Sequence, residues 1–397
     1  MTQSNPLPRA RPPRATQRGM TLIELLVAML ISLLLSLAIF GVLASSEGLK
    51  RTTTSVNDIN QTGNYAMYTI DKWVRSAGSG FAQSAAYAFG CTVHASRSGT
   101  QILPAGAAAP APFDAINTTG TVGAFKVAPI LIAPGQTTPG VSGAASDALI
   151  VMAGSAGYGE SAVDLSDLSA ETELKLTNTV SFKANDIVLV ANRQSSTGTL
   201  SPCMIQQVSA VAGKTVSLGG AYADASIGSE SLTAMPLESA AINLGNVVGN
   251  NPPSFLMIGV GADNTLFSYD LLQATATPLL PIAAGVFEMH ALYGVDNDNN
   301  GTIDAWVDPS SSATYTLAAL MAGDQTAVGL LQSIKAVRVG LIMRTALPEK
   351  TSVAPATLTL FSDLGLTHTR TLTAAERMYR YRTIESTIPI RNSMLLS

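Results

Sequence analysis

The chain has 397 residues, 47% of them hydrophobic, only 13% charged and 33 of them glycine. A formal charge of −4 argues against a nucleic-acid surface, and the low charge content suits an exported β-rich domain better than a cytosolic helical enzyme. The two cysteines, Cys91 and Cys203, fall in no CxxC pair, which speaks against a zinc ribbon or a thioredoxin-like site.

Residues 1–19 carry Arg9, Arg11, Arg14 and Arg18, no acid, and Pro6, Pro8, Pro12 and Pro13. They read as a basic, unstructured leader that stays cytoplasmic. From Leu25 to Ala44 no residue is charged, and at ~1.5 Å per residue such a helix crosses a ~30 Å hydrocarbon core. In an ordinary secretory signal, cleavage follows the apolar stretch; here Gly19 precedes it. The run Arg18-Gly19-Met20-Thr21-Leu22-Ile23-Glu24 resembles the type IV prepilins and the type II secretion pseudopilins. The resemblance implies cleavage after Gly19 by the prepilin peptidase and N-methylation of Met20, which stands where the family usually has Phe. It also implies that Glu24 pairs with the terminal ammonium of another pilin during assembly. A carboxylate at the end of a lipid-embedded helix costs several kcal/mol unless paired or protonated, which gives that pairing a physical reason.

No proline occurs between Pro13 and Pro104, so one helix is expected from Met20 to about Ser76. Its first half, 20–44, is apolar all round. The second, 45–80, is amphipathic, with Val56, Ile59, Tyr65, Ala66, Ile70 and Trp73 recurring at mostly three- and four-residue intervals. Thr52 to Ser55 and Gly41, Gly48 and Gly63 weaken it enough to expect a bend or a melted turn, and Gly78 and Gly80 end it. Residues 81–397 form the expected periplasmic β-rich domain. Strands are expected at 147–153, 186–191, 204–211, 255–260, 265–269, 286–293 and 334–343, with a long loop or insertion near 100–145. The fold class is α+β and pilin-like: a long N-terminal helix followed by a mostly antiparallel sheet.

Trp73-Val74-Arg75-Ser76-Ala77-Gly78, Leu292-Tyr293-Gly294-Val295-Asp296, the segment Ala336 to Arg344, and Tyr381-Arg382 through Pro389-Ile390-Arg391-Asn392 resemble the PilW family of minor pilins. The resemblance implies a subunit that helps initiate or cap a pilus fibre. Its expected partners are other minor and major pilins, the prepilin peptidase and the inner-membrane assembly platform. It implies a single-pass inner-membrane protein with a periplasmic C-terminal domain, carried in or at the tip of the fibre.

Cys91 and Cys203 have one intrachain pairing, and an exported location favours a disulfide between them over two buried thiols or pairing with another subunit. Asp296, Asp298, Asn300, Thr302 and Asp304 stand at positions 1, 3, 5, 7 and 9 of a loop with Gly301 at 6, the spacing with which a loop wraps calcium. Position 12 is Val307 rather than Glu, with Asp308 next to it, and a metal-free polar hairpin turn fits the same residues. His94, His290 and His368 are scattered and belong to no catalytic motif; His290 reads as a strand histidine. Gly154, Gly157 and Gly159 do not fit a dinucleotide fingerprint and read as a turn. The arginine-rich end, with Arg377, Arg380, Arg382 and Arg391, reads as an edge strand or a subunit interface rather than a nucleic-acid contact. The chain is thus expected to be a minor pilin and not an enzyme. The alternatives are a J-type pseudopilin of type II secretion, an adhesin or ligand-binding module on a pilin stalk, which an apolar pocket would favour, and an anchored periplasmic enzyme, which would need clustered titratable residues in a cleft.

Overall fold

The computed structural model describes residues 19–116, 124–137, 145–156, 161–194, 198, 200–248 and 252–394. The leader residues 1–18, parts of the expected insertion, and Gly157 and Gly159 lie outside them. The chain divides into two units, one ending at Thr54 and the other starting at Ser55.

Helix α1, Leu22–Ser76, is helical through Thr52, Thr53 and Thr54, so no melted turn interrupts it there. In the unit that starts at Ser55, Ile59, Ala66, Met67, Ile70 and Val74 are buried and form the helix's packing stripe. Tyr65, expected on that stripe, is 56% exposed; Met67 takes its place. Gly63 has a packing role that its low helix propensity concealed. A Cβ there would lie 2.5 Å from Ile384 Cδ1 and 3.0 Å from Met343 Cγ, so the missing side chain lets the helix approach the sheet. The helix ends as expected, with Gly78 at φ +79° donating its N–H to Met152.

The strands follow in order. β1 (Val93–Arg97), β2 (Thr100–Leu103), β3 (Ile130–Thr137), β4 (Ser146–Ala153), β5 (Val163–Asp164), β6 (Glu173–Lys175), β7 (Asp186–Asn192), β8 (Cys203–Ala212) and β9 (Thr215–Leu218) come first. β10 (Ser226–Ile227), β11 (Glu230–Ser231), β12 (Ser239–Asn246), β13 (Ser254–Gly261), β14 (Thr265–Asp270), β15 (Leu279–Ala284) and β16 (Val286–Val295) come next. β17 (Ala305–Val307), β18 (Ile334–Arg344), β19 (Thr357–Leu360), β20 (His368–Thr371) and β21 (Tyr381–Pro389) complete the set. All seven expected strands are present. The expected loop near 100–145 is corrected: it holds β2 and β3, and Pro134 and Gly135 interrupt the apolar run of β3 and hide its strand pattern.

Among the described residues the strands form three main sheets, ordered β2-β1-β8-β7-β12-β5 with β9 and β6 appended, β15-β14-β13-β4-β3, and β17-β16-β18-β21. Every pairing is antiparallel except β1 with β8. The last two sheets are joined at β4 and β16. There the Ser146 hydroxyl donates to the Met289 carbonyl and accepts its N–H, and Asp147 Oδ2 accepts the Ala291 N–H at 2.9 Å. The β16–β18 sheet is buried on both faces. Met289, Ala291, Val339 and Leu341 join the main core with the helix stripe. Phe287, Leu292 and Ile342 pack beneath Leu360, Phe361 and Leu372 of the β19–β20 hairpin and its flanks. That second face carries two charged residues discussed below.

Candidate functional site

Gly19 and Met20 lie exposed just ahead of α1, Met20 at 70%. Thr21 caps the helix, and the pattern Thr-x-x-Glu makes the cap reciprocal. Glu24 Oε2 accepts both the Thr21 N–H and the Thr21 hydroxyl at 2.9 Å, while the Glu24 N–H reaches the Thr21 hydroxyl at 3.3 Å. The carboxylate therefore has a partner within its own chain, one that the sequence signature could have indicated. Beyond it, Leu25, Leu26, Met29, Leu30, Leu33, Leu34, Leu37 and Phe40 are each about half exposed or more, on all sides of the helix. The hydroxyls interrupting this surface are satisfied internally, Ser32 on Met29 and Ser36 on Ser32 carbonyls, as lipid requires.

Between β16 and β17, the Asp296–Asp304 loop brings carboxylate oxygens of Asp296, Asp298 and Asp304 within 4.8 Å of one another. They also organise the turn. Asp296 accepts the N–H groups of Asn300 and Gly301 at 3.2 and 2.8 Å, and Asp304 accepts that of Asn297 at 2.7 Å. Burial alone would raise the Asp296 carboxyl; these donors hold it below its ordinary value. Asn300 Oδ1 is taken by Thr302, and Asp308 binds Ser310 instead of turning into the loop. The geometry accommodates both the calcium site and the hydrogen-bonded turn.

A second cluster joins residues far apart in sequence. Glu288 and His290, two apart on β16, point toward the β19–β20 hairpin, where His368 opens β20. The His290 and His368 rings stack at 3.7 Å. Glu288, 1% exposed, places Oε2 at 3.4 Å from His290 Nε2 and 3.8 Å from His368 Nε2, and Oε1 at 2.6 Å from Arg370 Nε. Arg370 continues to Glu376 at 2.7 Å. On the other side of the ring, His290 Nδ1 lies 3.6 Å from Asp147 Oδ2. Burial alone would depress His290, but the Asp147 and Glu288 carboxylates carry it to about 9. Burial raises Glu288, and the imidazoles and Arg370 beside it pull it back below its ordinary value. His290 is a strand histidine, but it is also the centre of an ionic network. The one signal in the sequence was a Glu and a His at alternate positions of an apolar strand.

Residues 14–40 match the model described as Prokaryotic N-terminal methylation motif, which covers the capped apolar segment. Residues 255–392 match the model described as Type IV Pilus-assembly protein W, spanning β13 to β21 with the acidic loop and the histidine pair. The chain is thus similar to the PilW-type pilins over its last third and carries a prepilin motif. Neither the curated proteins nor the solved structures give a match.

In this pilin Cys91 and Cys203 are disulfide-bonded, their Cα atoms 5.7 Å apart and both residues fully buried. The bond sits where β1 meets β8, beside the parallel pair Val93 and Cys203. Its terminal arginines serve the fold. Arg382 donates to Asn60 of α1, Arg380 pairs with Glu349, and Arg377 binds the Ala354 carbonyl, with Tyr381–Pro389 as an edge strand. Finally, the pilin has an apolar pocket of about 290 Å³ lined by Ile102, Leu103, Phe113, Ile116, Met257 and Leu271.

Proposed function

We propose that this type IV pilus-related pilin acts as a minor subunit that helps initiate or cap the fibre, and that it is a substrate of the prepilin peptidase rather than a catalyst. In this reading it is held in the inner membrane by α1 with its β-domain in the periplasm, until it enters the fibre with other minor and major pilins at the assembly platform. The observation that supports it most is Glu24: the one charge between Met20 and Glu47 is held against Thr21 by hydrogen bonds that an incoming ammonium can replace. An ammonium–carboxylate pair in an apolar surrounding neutralises two groups that would otherwise be stranded there.

The test is Glu24→Ala. The apolar stretch alone suffices for insertion, so the variant is expected to remain in the membrane fraction at wild-type level, with its mature terminus still at Met20, and to be lost from sheared fibres and from co-purified minor pilins. Recovery of the variant in fibres at wild-type level would refute the pairing argument. An intact Met1 terminus in cells with active peptidase would refute processing at Gly19. If the protein co-purifies instead with pseudopilins of a secretion system, the same chemistry serves a J-type subunit.

The apolar pocket favours a second reading, a ligand-binding module on a pilin stalk. Its volume is at the lower end of the range for small-molecule sites, which start at ~300 Å³. Ile102→Trp would fill it, so a ligand-dependent attachment phenotype abolished by that substitution, with fibres intact, would support this reading.

A further inference from the structure

The buried cluster between β16 and the β19–β20 hairpin contains an unusual set of groups. His368 Nε2 is buried and, among the described residues, has no hydrogen-bond partner; at 3.8 Å, Glu288 Oε2 is beyond reach. A buried imidazole nitrogen without a hydrogen bond forfeits the desolvation cost of that atom, so its position has room for a ligand. Three potential ligand atoms, one each from Glu288, His290 and His368, lie within 4.8 Å of one another. Bonds of ~2.0–2.1 Å to a tetrahedral zinc ion put neighbouring ligand atoms roughly 3.3–3.5 Å apart. The separations of 3.4 and 3.8 Å from Glu288 Oε2 to the two imidazole nitrogens are close to such edges, and the His368 ring, stacked on His290 at 28°, turns out of the stack for both nitrogens to face one ion.

The groups around these three are arranged as supports. Asp147 faces His290 Nδ1 at 3.6 Å, on the ring nitrogen opposite the one turned to Glu288, and is itself fixed by the N–H groups of Gly135 and Ala291. A carboxylate behind a histidine in this way orients the ring and strengthens it as a ligand. Arg370 holds the other oxygen of Glu288, so Oε2 is the oxygen turned toward the two imidazoles. Asp147, Glu288 and Glu376 carry three negative charges against the Arg370 guanidinium and the His290 imidazolium, and a bound ion would take the place of the His290 proton. One side of the cluster opens into a cavity of about 220 Å³ that Asp308 and Ser310 also line, which provides a path for an ion and room for a water as fourth ligand.

We propose that Glu288, His290 and His368 form a binding site for one zinc ion, with Asp147 and Arg370 as positioning residues. Two imidazoles and one carboxylate are a ligand set suited to zinc rather than to calcium or magnesium, which take oxygen ligands. The ion ties the β19–β20 hairpin to the sheet beneath it. The site is separate from the acidic loop in ligand type and in position, and nothing in the pilin assignment requires it.

Tag-free mature pilin in mild detergent, stripped with a chelator and titrated with Zn²⁺ by calorimetry, tests this. One ion per chain is expected, with X-ray absorption reporting two imidazole ligands and a raised melting temperature. His368→Gln lies on the partly exposed hairpin and leaves the sheet intact; it should weaken binding by about 100-fold or more. Asp147→Asn should weaken it by ~10- to 100-fold. Asp298→Asn with Asp304→Asn should leave zinc affinity unchanged. Absence of binding by folded wild-type protein overturns the proposal. So do wild-type affinity in folded His368→Gln and loss of zinc in the acidic-loop variant.

Discussion

The disulfide carries the clearest quantitative consequence. Cys91 and Cys203 are 112 residues apart, and closing a loop of that length in the unfolded chain removes conformational entropy worth about 5 kcal/mol at 25 °C in the chain-entropy model. The folded side needs the bond as well. β1 meets β8 over only two parallel pairs, Val93 with Cys203 and His94 with Met204, so few backbone hydrogen bonds hold the register there. Replacing both residues by alanine should therefore lower the stability of the unit from Ser55 onward by about 5 kcal/mol, against a total of ~5–15 kcal/mol for a typical domain. At ~2.1 cal/mol/K per residue, roughly 340 residues give an unfolding entropy near 0.7 kcal/mol/K, so the melting temperature should fall by ~7 °C. Scanning calorimetry of Cys91→Ala/Cys203→Ala beside wild type, both in the same detergent, measures this. Because both cysteines are fully buried, reductant added to the native wild-type protein should act only at the rate of local opening. A melting temperature within 2 °C of wild type, with the bond verified in the wild-type sample by mass spectrometry, would refute the loop-closure argument.

Three other substitutions test the packing and the loop. A Cβ at Gly154 would lie 2.9 Å from the backbone oxygens of both Ser79 and Leu244, neither of which can turn aside, so Gly154→Ala should cost about 2–3 kcal/mol by chemical denaturation. Gly329→Ala, on an exposed helical position with open space around it, should instead gain up to ~1 kcal/mol, and equal effects at the two sites would refute the contact geometry. Tyr293 is fully buried and its hydroxyl accepts the Ile132 N–H across the two sheets, so Tyr293→Phe should cost ~1–3 kcal/mol; an unchanged denaturation midpoint would show that the bond contributes nothing. If the acidic loop binds calcium with a Kd of ~10⁻³ M, 10 mM calcium should stabilise the pilin by about 1.4 kcal/mol, a rise near 2 °C that Asp296→Ala with Asp298→Ala removes. No melting shift and no heat of binding would leave the loop as a hydrogen-bonded turn.

The regions legible in the sequence are those where one local signal decides. The charge-free stretch after Glu24, the glycines at 78 and 80, and strands such as 286–295 and 334–344 each follow from composition and period over a few residues. What escaped depends on partners distant in sequence. Gly63 looks like a weak helix residue until Ile384 is seen against it, and Tyr65 lies on the solvent side because the buried face runs through Ile59, Ala66, Met67, Ile70 and Val74, roughly a quarter turn or more away. β3 is paired with β4 across a break at Pro134 and Gly135, where an isolated reading finds only a loop.

The same distinction explains the histidines. His290 looks like an ordinary strand residue, since neither it nor His368 stands in a metal or catalytic motif of its own. The β19–β20 hairpin folds over β16 and brings them into a stack at 3.7 Å, with Glu288 between them and Arg370 and Asp147 at the flanks. Apolar packing alone would accept leucines at these positions with less desolvation cost, because buried ion pairs seldom stabilise more than the hydrophobic residues they displace. Five ionisable side chains, Glu288 and His290 on β16, His368 and Arg370 on β20 and Asp147 on β4, therefore point to a role beyond packing, in keeping with an ion that ties the hairpin to the sheet.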